Sequence, residues 1–243
     1  MNQANTIIRA EKLNKAFGSV KPARDVTVHI AERSVIGLIG TNGAGKTTFV
    51  NMLTGYIKPD SGHIHFRDRE ITGQVPRKIT RLGIARSFQI PQLFTSLTAR
   101  ENIEIALSVA GKPLDQADAG LARLGVLEFA EMNVGLLPEG VRKLLDIALA
   151  MVGQPEVLLL DEPTSGVASE EKFDVMDRVL HAAREMGVTV LFVEHDMEIV
   201  RRYSDRVLAF YDGTILADGE PDTVLADAKV RELIIGEEVP THA

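Results

Sequence analysis

Eight consecutive residues near the start of the chain have the types and spacing that bind a phosphate group. The segment reads Gly40-Thr41-Asn42-Gly43-Ala44-Gly45-Lys46-Thr47, which matches the pattern G-x-x-x-x-G-K-[ST] in full. An apolar run precedes it and a segment of helical character follows it, so backbone N–H groups and a helix N-terminus would face the phosphates. The motif predicts that Lys46 reaches the β- and γ-phosphates of a nucleotide and that Thr47 binds Mg²⁺. The alternative is an ordinary glycine turn before a helix.

Two adjacent carboxylates, Asp161 and Glu162, end a second apolar run far downstream. In a parallel sheet, ligands bind at the carboxyl ends of the strands, so both side chains are expected to face the phosphates. We expect Asp161 to hold Mg²⁺ through its water shell, and Glu162 to position and deprotonate the attacking water. An acidic turn at the end of a strand is the alternative.

A histidine follows a third apolar run. His195 stands directly after Glu194, at the end of a strand predicted at Val188–Val193. Because this strand is expected to end at the same edge of the sheet, His195 could contact the γ-phosphate and help to hold the water in line. A structural or solvated histidine is the alternative.

The hydrophobic pattern predicts the elements that position these residues. Strands are predicted at Thr6–Leu13, Val26–Ile30, Val35–Ile39, His63–Phe66, Val157–Leu160, Val188–Val193 and Arg206–Phe210, with a last strand after a tight turn at Asp212-Gly213. Helices are predicted at Lys46–Leu53, Ala99–Val109, Gln116–Leu124, Val141–Met151, Glu170–Met186 and Met197–Tyr203. Apolar strands that alternate with amphipathic helices indicate an α/β fold with a mainly parallel sheet covered on both faces.

The composition excludes several classes of function. The 243 residues include no cysteine, which excludes disulfides, zinc–cysteine sites and thiol nucleophiles. A net charge of −7 argues against a general nucleic-acid binder, because such binding depends on the release of counterions from phosphates. No apolar run approaches the roughly 20 residues that span a bilayer, so any membrane role is expected to come through a partner.

The segment around Gln89 contains a basic part and an apolar part. The basic residues are Arg77, Lys78, Arg81 and Arg86, for which a solvated helix face is the favoured interpretation. The apolar residues are Phe88, Ile90, Leu93 and Phe94. They predict a groove that receives a short helix of a membrane subunit, with burial in the core as the alternative for at least half of them.

The phosphate loop, the segment LLLDEP at 158–163 and the segment EHD at 194–196 resemble, in this order, the nucleotide-binding domain of ABC transporters. The resemblance covers nearly the whole chain and implies a RecA-like P-loop fold with an antiparallel β subdomain and a helical subdomain. It implies one domain over residues 1–243. Residues 1–90 and 156–218 would form the β flank and the nucleotide core, 91–155 the helical subdomain and 219–243 a C-terminal tail.

The resemblance also implies ATP and Mg²⁺ as cofactors and assigns roles to residues. Gln89 is similar to the glutamine that contacts Mg²⁺ and senses the nucleotide state, and Phe17 is similar to the aromatic residue that stacks on adenine. A core-facing ring is the alternative for Phe17. The implied nucleotide-binding residues are Phe17, Gly40, Asn42, Gly43, Ala44, Gly45, Lys46, Thr47 and Thr48. The implied catalytic residues are Lys46, Gln89, Glu162 and His195, and the implied metal ligands are Thr47, Gln89 and Asp161.

Several looser stretches resemble the ATPases of importers of the branched-chain amino acid type. They are Gly83–Gln89, Leu93-Phe94, Thr98–Asn102, Glu194–Met197 and Ile235–Glu237. This resemblance implies a peripheral subunit at the cytoplasmic face of the inner (plasma) membrane that powers the import of branched-chain amino acids or related small solutes. The implied partners are a second ABC ATPase in a heterodimer, transmembrane permease subunits and, indirectly, a periplasmic solute-binding protein. A homodimer is the alternative, and no nucleic acid is expected.

Two segments depart from the family's pattern. Leu137-Pro138-Glu139-Gly140-Val141 stands where the family has its LSGGQ signature, and Ala168 stands where the D-loop usually has aspartate. In the family, both segments serve the nucleotide of the opposite subunit, so we expect an unequal pair of ATPases. The alternative is a tolerated variant of the subfamily.

The rival function is a soluble ABC ATPase in repair, translation or cofactor assembly. It is disfavoured because the chain has one cassette, no zinc cysteines and no long coiled coil. A regulator that binds ATP without hydrolysing it is disfavoured by Glu162 and His195.

Overall fold

The structure, a computed structural model, describes residues 6–236, so Glu237 of the Ile235–Glu237 stretch lies outside the described residues. The chain divides into two compact units. Among the described residues, the first unit contains 6–79 and 191–236, and the second runs from Thr80 to Val190. The subdomain limits implied by the family resemblance remain a prediction.

The predicted strands and helices are present, together with shorter elements. The strands are β1 (Thr6–Phe17), β2 (Val20–Ala31), β3 (Val35–Gly40), β4 (Ser61–Phe66), β5 (Arg69–Glu70), β6 (Ile84–Arg86), β7 (Val157–Asp161), β8 (Thr189–Val193), β9 (Arg206–Tyr211) and β10 (Thr214–Gly219). The helices are α1 (Lys46–Leu53), α2 (Pro76–Leu82), α3 (Ala99–Ala110), α4 (Ala117–Arg123), α5 (Glu139–Met151), α6 (Lys172–Glu185), α7 (Met197–Tyr203), α8 (Pro221–Ala226) and α9 (Ala228–Val230). The sequence did not predict β5, β6, α8 and α9, because such short runs carry too little periodicity. Helix α2 carries Arg77, Lys78 and Arg81, for which the sequence indicated a solvated helix face.

The first unit contains an antiparallel sheet and a parallel strand pair. The antiparallel sheet has the order β2-β1-β4-β5, and Ile8 of β1 pairs with Ile30 on one side and Phe66 on the other. Outside this sheet, β3 pairs in parallel with β9. Strand β9 in turn pairs with antiparallel β10, and the two are joined by the turn at Asp212-Gly213. Both turn residues have positive φ (44° and 74°), as type I′ hairpin turns require.

The core of the first unit fixes where β3 ends. All residues of β3 are buried, and the rings of Phe49 on α1 and Phe210 on β9 lie 5.5 Å apart in the interior. The amide of Glu194 donates to the carbonyl oxygen of Leu38 at 3.3 Å, so the end of β8 lies beside β3. The carboxyl ends of these neighbouring strands therefore meet at one edge.

The second unit is built from two short parallel strands and the longer helices. Strands β6 and β7 pair from Ile84 with Val157 onward, and the amide of Thr189 donates to the carbonyl oxygen of Glu156 at 2.9 Å. Helix α3 begins at a capping box between Thr98 and Glu101. Across residues 6–236, no helix has both the length and the apolar character needed to cross a membrane.

Helix α5 begins earlier than the sequence predicted. It starts at Glu139 instead of Val141, and Pro138 is the residue before it, with φ −56° and ψ 153°. Proline has a fixed φ and no N–H group, so it suits the start of a helix. The helix therefore begins inside the signature-like segment, and its first turn carries Glu139.

Candidate functional site

The phosphate loop connects β3 to α1 in the first unit. Lys46 is only 5% exposed, and its Nζ donates to the carbonyl oxygens of Gly40 at 2.6 Å and Thr41 at 3.1 Å. The residue before the helix, Gly45, has φ 110°, and the loop residue Gly43 has φ 80° with open space beside its Cα. An ammonium held over a glycine loop at a helix N-terminus fits the phosphates of a nucleotide.

Contacts with the β9–β10 turn hold this loop in place. The amide of Gly213 donates to the carbonyl oxygen of Ala44 at 3.0 Å, and the amide of Arg24 donates to the carbonyl oxygen of Gly213 at 2.7 Å. A Cβ at Gly40 would overlap the carbonyl oxygen of Phe210. The shape of the loop therefore depends on residues distant in sequence, which the motif itself does not reveal.

Gly45→Ala is expected to lower the free energy of unfolding. A left-handed backbone conformation by itself costs a residue with a side chain about 1–2 kcal/mol, and the loss in Gly45→Ala should be clearly larger. The reason is that a Cβ at this position would overlap the carbonyl oxygen of Pro22. Urea denaturation of Gly45→Ala and Gly18→Ala measures the difference. Gly18 is the matched control, because its φ of 61° is also left-handed but nothing lies within 4 Å of an added Cβ. Equal losses in the two variants would contradict the expected overlap.

His195 is exposed and follows the end of β8 in the first unit. Its amide donates to the Glu194 carboxylate at 3.1 Å. The next residue, Asp196, caps α7 by accepting from the amides of Glu198 at 3.1 Å and Ile199 at 3.4 Å. The cap fixes the strand-to-helix junction and thus the position of His195, whose contact with the γ-phosphate remains a prediction.

Phe17 ends β1 with its ring 52% exposed, so the ring is not part of the core. Asp60 holds this strand end by accepting from Lys15 Nζ at 2.7 Å and from the amide of Ala16 at 2.8 Å. These two hydrogen bonds, the one from Lys15 first, lower the pKa of Asp60 below its ordinary value. Lys15 Nζ also lies 5.3 Å from the centre of the Phe17 ring. Stacking of Phe17 on adenine remains a prediction.

The two predicted carboxylates lie at the end of β7 in the second unit. Asp161 forms an ion pair with Arg86 at 2.7 Å, and these side chains are only 11% and 8% exposed. Glu162 Oε2 accepts from Gln89 Nε2 at 2.7 Å, so the structure brings these two predicted catalytic residues together. The interpretation of Arg86 as part of a solvated helix face was wrong, because Arg86 lies on β6 and pairs with Asp161.

Glu162 has an unusual backbone conformation. Its φ is 49°, in the left-handed region, and its carbonyl oxygen accepts from the amide of Ser165 at 3.1 Å. This conformation costs a residue with a side chain about 1–2 kcal/mol. It turns the chain sharply at the end of β7 and places the carboxylate against Gln89.

The loop that carries Gln89 is fixed by polar side chains of two helices. Asp146 of α5 accepts from the amides of Phe88 at 3.3 Å and Gln92 at 3.0 Å. Burial raises the pKa of the Asp146 carboxyl, although these two amides and Lys143 act in the opposite direction. Asn102 of α3 is fully buried and holds the far end of the loop through Phe94 and Thr98.

Asn102→Ala is expected to lower the free energy of unfolding by about 2–4 kcal/mol, since it removes three hydrogen bonds worth roughly 1 kcal/mol each. Urea denaturation measures this loss. Asn133→Ala serves as the control, because Asn133 is exposed and its side chain makes no capping hydrogen bond. A loss no larger than that of the control would show that Asn102 does not hold the loop.

The apolar residues of the Gln89 loop are only partly buried. Ile90 is 73% exposed and Phe94 is 55% exposed. Phe88 and Leu93 are half-buried, and the Arg86 guanidinium lies 5.0 Å from the Phe88 ring centre. Ile90 and Phe94 therefore present apolar surface that the second unit does not cover.

The two departures from the family's pattern lie side by side in the second unit. Glu139, in the first turn of α5, pairs with Arg142, and its side chain lies 3.6 Å from a Cβ built at Gly166. Glu171 lies 3.3 Å from a Cβ built at Gly140. The N-terminal end of α5 thus has two carboxylates near it.

Among residues 6–236, no cluster of three or more His, Cys, Asp or Glu side chains could hold a metal ion. The predicted ligands Thr47, Gln89 and Asp161 offer hydroxyl, amide and carboxylate oxygens. Oxygen donors of this kind, completed by water, suit Mg²⁺.

Comparison with known proteins identifies the family. The sequence profile described as ABC transporter matches residues 23–165. The chain is 34% identical over 250 residues to the high-affinity branched-chain amino acid transport ATP-binding protein LivG of Salmonella typhimurium, covering 95% of this chain and 98% of that protein. It is 32% identical to the probable branched-chain amino acid transport ATP-binding protein LivG of Methanocaldococcus jannaschii, covering 98% and 100%.

A solved structure supports the same family. The crystal structure of the ADP conformation of MJ1267, an ATP-binding cassette of an ABC transporter, superposes with a TM-score of 0.88 at 32% identity. The superposition covers 96% of this chain and 99% of the MJ1267 chain. This similarity confirms the predicted RecA-like P-loop fold. The chain therefore belongs to the ABC transporter family, as one of its ATP-binding, ATP-hydrolysing cassettes.

Proposed function

We propose that the chain powers an importer of branched-chain amino acids or related small solutes by hydrolysing ATP. The observation that carries the proposal is the similarity over 95% of the chain to LivG, a branched-chain amino acid transport ATP-binding protein. The intact phosphate loop and the Gln89–Glu162 pair support hydrolysis. Nothing in the comparisons favours the rival, a soluble ABC ATPase.

Each predicted site residue has a separate role in the proposed binding and hydrolysis of ATP. Lys46 and the loop backbone would bind the phosphates, Phe17 would stack on adenine, and Asp161, Thr47 and Gln89 would hold Mg²⁺. Mg²⁺ bound there would supply positive charge to the phosphates. Glu162 takes a proton from the attacking water, and the 2.7 Å hydrogen bond from Gln89 orients its carboxylate. His195 helps to hold the water in line.

The proposed assembly is a pair of unequal ATPase subunits. A helix N-terminus favours phosphate, but in this chain Glu139 and Glu171 bring negative charge to the first turn of α5. Arg142 neutralises only part of that charge. A partner ATPase with a regular signature would complete the site that contains Lys46 and Glu162, whereas the site served by α5 of this chain would turn over slowly.

The proposed membrane partners are permease subunits that receive substrate from a solute-binding protein. Exposed Ile90 and Phe94 offer an apolar surface to a short helix of such a subunit. The chain would then lie at the cytoplasmic face of the inner membrane as a peripheral subunit.

Two measurements test the proposal. A tagged chain, purified from detergent-solubilised membranes of its own host, should bring down permease subunits and a second ATPase. Deletion of its gene should abolish uptake of labelled leucine, isoleucine or valine, and a plasmid copy should restore it. Recovery of the chain only from the cytosol, without membrane subunits, would contradict the importer assignment.

A further inference from the structure

Lys143 is a buried lysine to which the proposed nucleotide contacts give no role. It lies on α5 and is 3% exposed. Its Nζ donates to the main-chain carbonyl oxygen of Gln89 and, at 3.4 Å, to that of Glu162. A single ammonium group thus contacts the backbones of two residues, Gln89 and Glu162, that are both predicted to be catalytic.

Asp146 supports the same loop one helical turn further along α5. Its carboxylate accepts from the amides of Phe88 and Gln92, on the two sides of Gln89. Lys143 therefore holds a carbonyl of the loop, and Asp146 holds amides that flank it. Burial of the Lys143 ammonium and the Asp146 carboxylate costs free energy. If packing were the only requirement, apolar side chains of similar volume would stabilise the fold at least as well.

The geometry points to Lys143 as a positioning residue for Gln89 and Glu162, with Asp146 of α5 holding the loop amides on the two sides of Gln89. This inference rests on the proposed ATPase function. The hydrogen bond from Gln89 Nε2 to Glu162 Oε2 joins the side chains of these two residues, so its geometry depends on where their backbones lie. The ammonium group fixes them by binding both carbonyl oxygens, and it also helps to stabilise the left-handed conformation of Glu162.

Lys143→Met is the variant that tests the inference, because it keeps the length of the side chain and removes the ammonium. In the assembled transporter, kcat for ATP should fall about 10- to 100-fold, the effect of a misplaced catalytic group. The affinity for a fluorescent ATP analogue should stay within about threefold, because the phosphate loop is unchanged.

Lys143→Arg keeps the charge and the donors and should recover most of kcat. Lys112→Met, which removes a lysine that bonds Gln154 near the surface, is the matched control.

A second measurement reports on the loop without hydrolysis. The chain contains no cysteine, so Ile90→Cys takes a single nitroxide label at a residue 73% exposed. Electron paramagnetic resonance of the labelled isolated chain should show faster label motion with Lys143→Met and unchanged motion with Lys112→Met. This readout still tests the positioning role if the wild-type transporter hydrolyses no ATP, a result that would count against the proposed function instead.

Three outcomes would overturn the inference. The first is a kcat for Lys143→Met within twofold of the Lys112→Met value, and the second is unchanged label motion. The third is an equal loss of kcat and of melting temperature in Lys143→Met and Lys143→Arg, which would show that the lysine serves packing alone.

Discussion

Glu162→Gln is expected to reduce ATP turnover of the assembled transporter by about 10²- to 10⁴-fold, the range for loss of a general base. The amide cannot take a proton from water, but its oxygen can still accept the hydrogen bond from Gln89. The geometry of the loop and the binding of ATP should therefore be preserved. Phosphate release at saturating ATP and titration with a fluorescent ATP analogue separate the two effects.

Two comparisons sharpen this experiment. Glu128→Gln changes an exposed carboxylate in the same unit and should leave turnover unaltered. The substitution of the corresponding glutamate in the partner ATPase should cost much less than Glu162→Gln, because the site served by α5 of this chain is expected to be slow. Equal losses of ATP turnover from the two substitutions would show that the two ATP sites are equivalent.

Arg86→Met is expected to lower the free energy of unfolding by about 3–5 kcal/mol, as the loss of one partner of a buried ion pair does. The substitution leaves the Asp161 carboxylate, which is 11% exposed, without its 2.7 Å partner. Urea denaturation measures the loss. Arg100→Met is the comparison within the same unit, because its ion pairs with Asp118 and Glu131 lie near the surface. Such exposed pairs contribute about 0–1 kcal/mol.

The double variant Arg86→Met/Asp161→Leu distinguishes the ion pair from simple packing. It removes both charges, so most of the stability lost in Arg86→Met should return, although ATP turnover should not. If the double variant were as unstable as Arg86→Met, the loss would arise from the shape of the arginine side chain and not from the unpaired charge.

The sequence predicted the parts of the site that are contiguous in the chain. The phosphate loop, Asp161-Glu162 and Glu194-His195 each follow an apolar strand, and such strands are recognisable because their burial requires several apolar residues in a row. Helix α1 and helix α7 have the predicted bounds, because glycine or a capping aspartate marks where each begins.

The sequence did not predict the side chains that hold these parts in place. Arg86, Lys143 and Asp146 are charged, and charged residues are taken as solvent-facing unless their partners are known. Their partners lie far away in the sequence, as in the pair of Arg86 with Asp161. Asn102 looks like an ordinary polar residue of a helix until its three hydrogen bonds to the loop are seen.

The contacts between the phosphate loop and the β9–β10 turn have a consequence for synthesis on the ribosome. Gly40 lies against Phe210, and the carbonyl oxygen of Ala44 accepts from the amide of Gly213. The ribosome makes residues 206–213 long after residues 40–47, so the nascent chain carries its phosphate-binding motif without the turn that shapes it. A nascent chain released before Gly213 would therefore contain the complete motif without the turn that holds the loop in place.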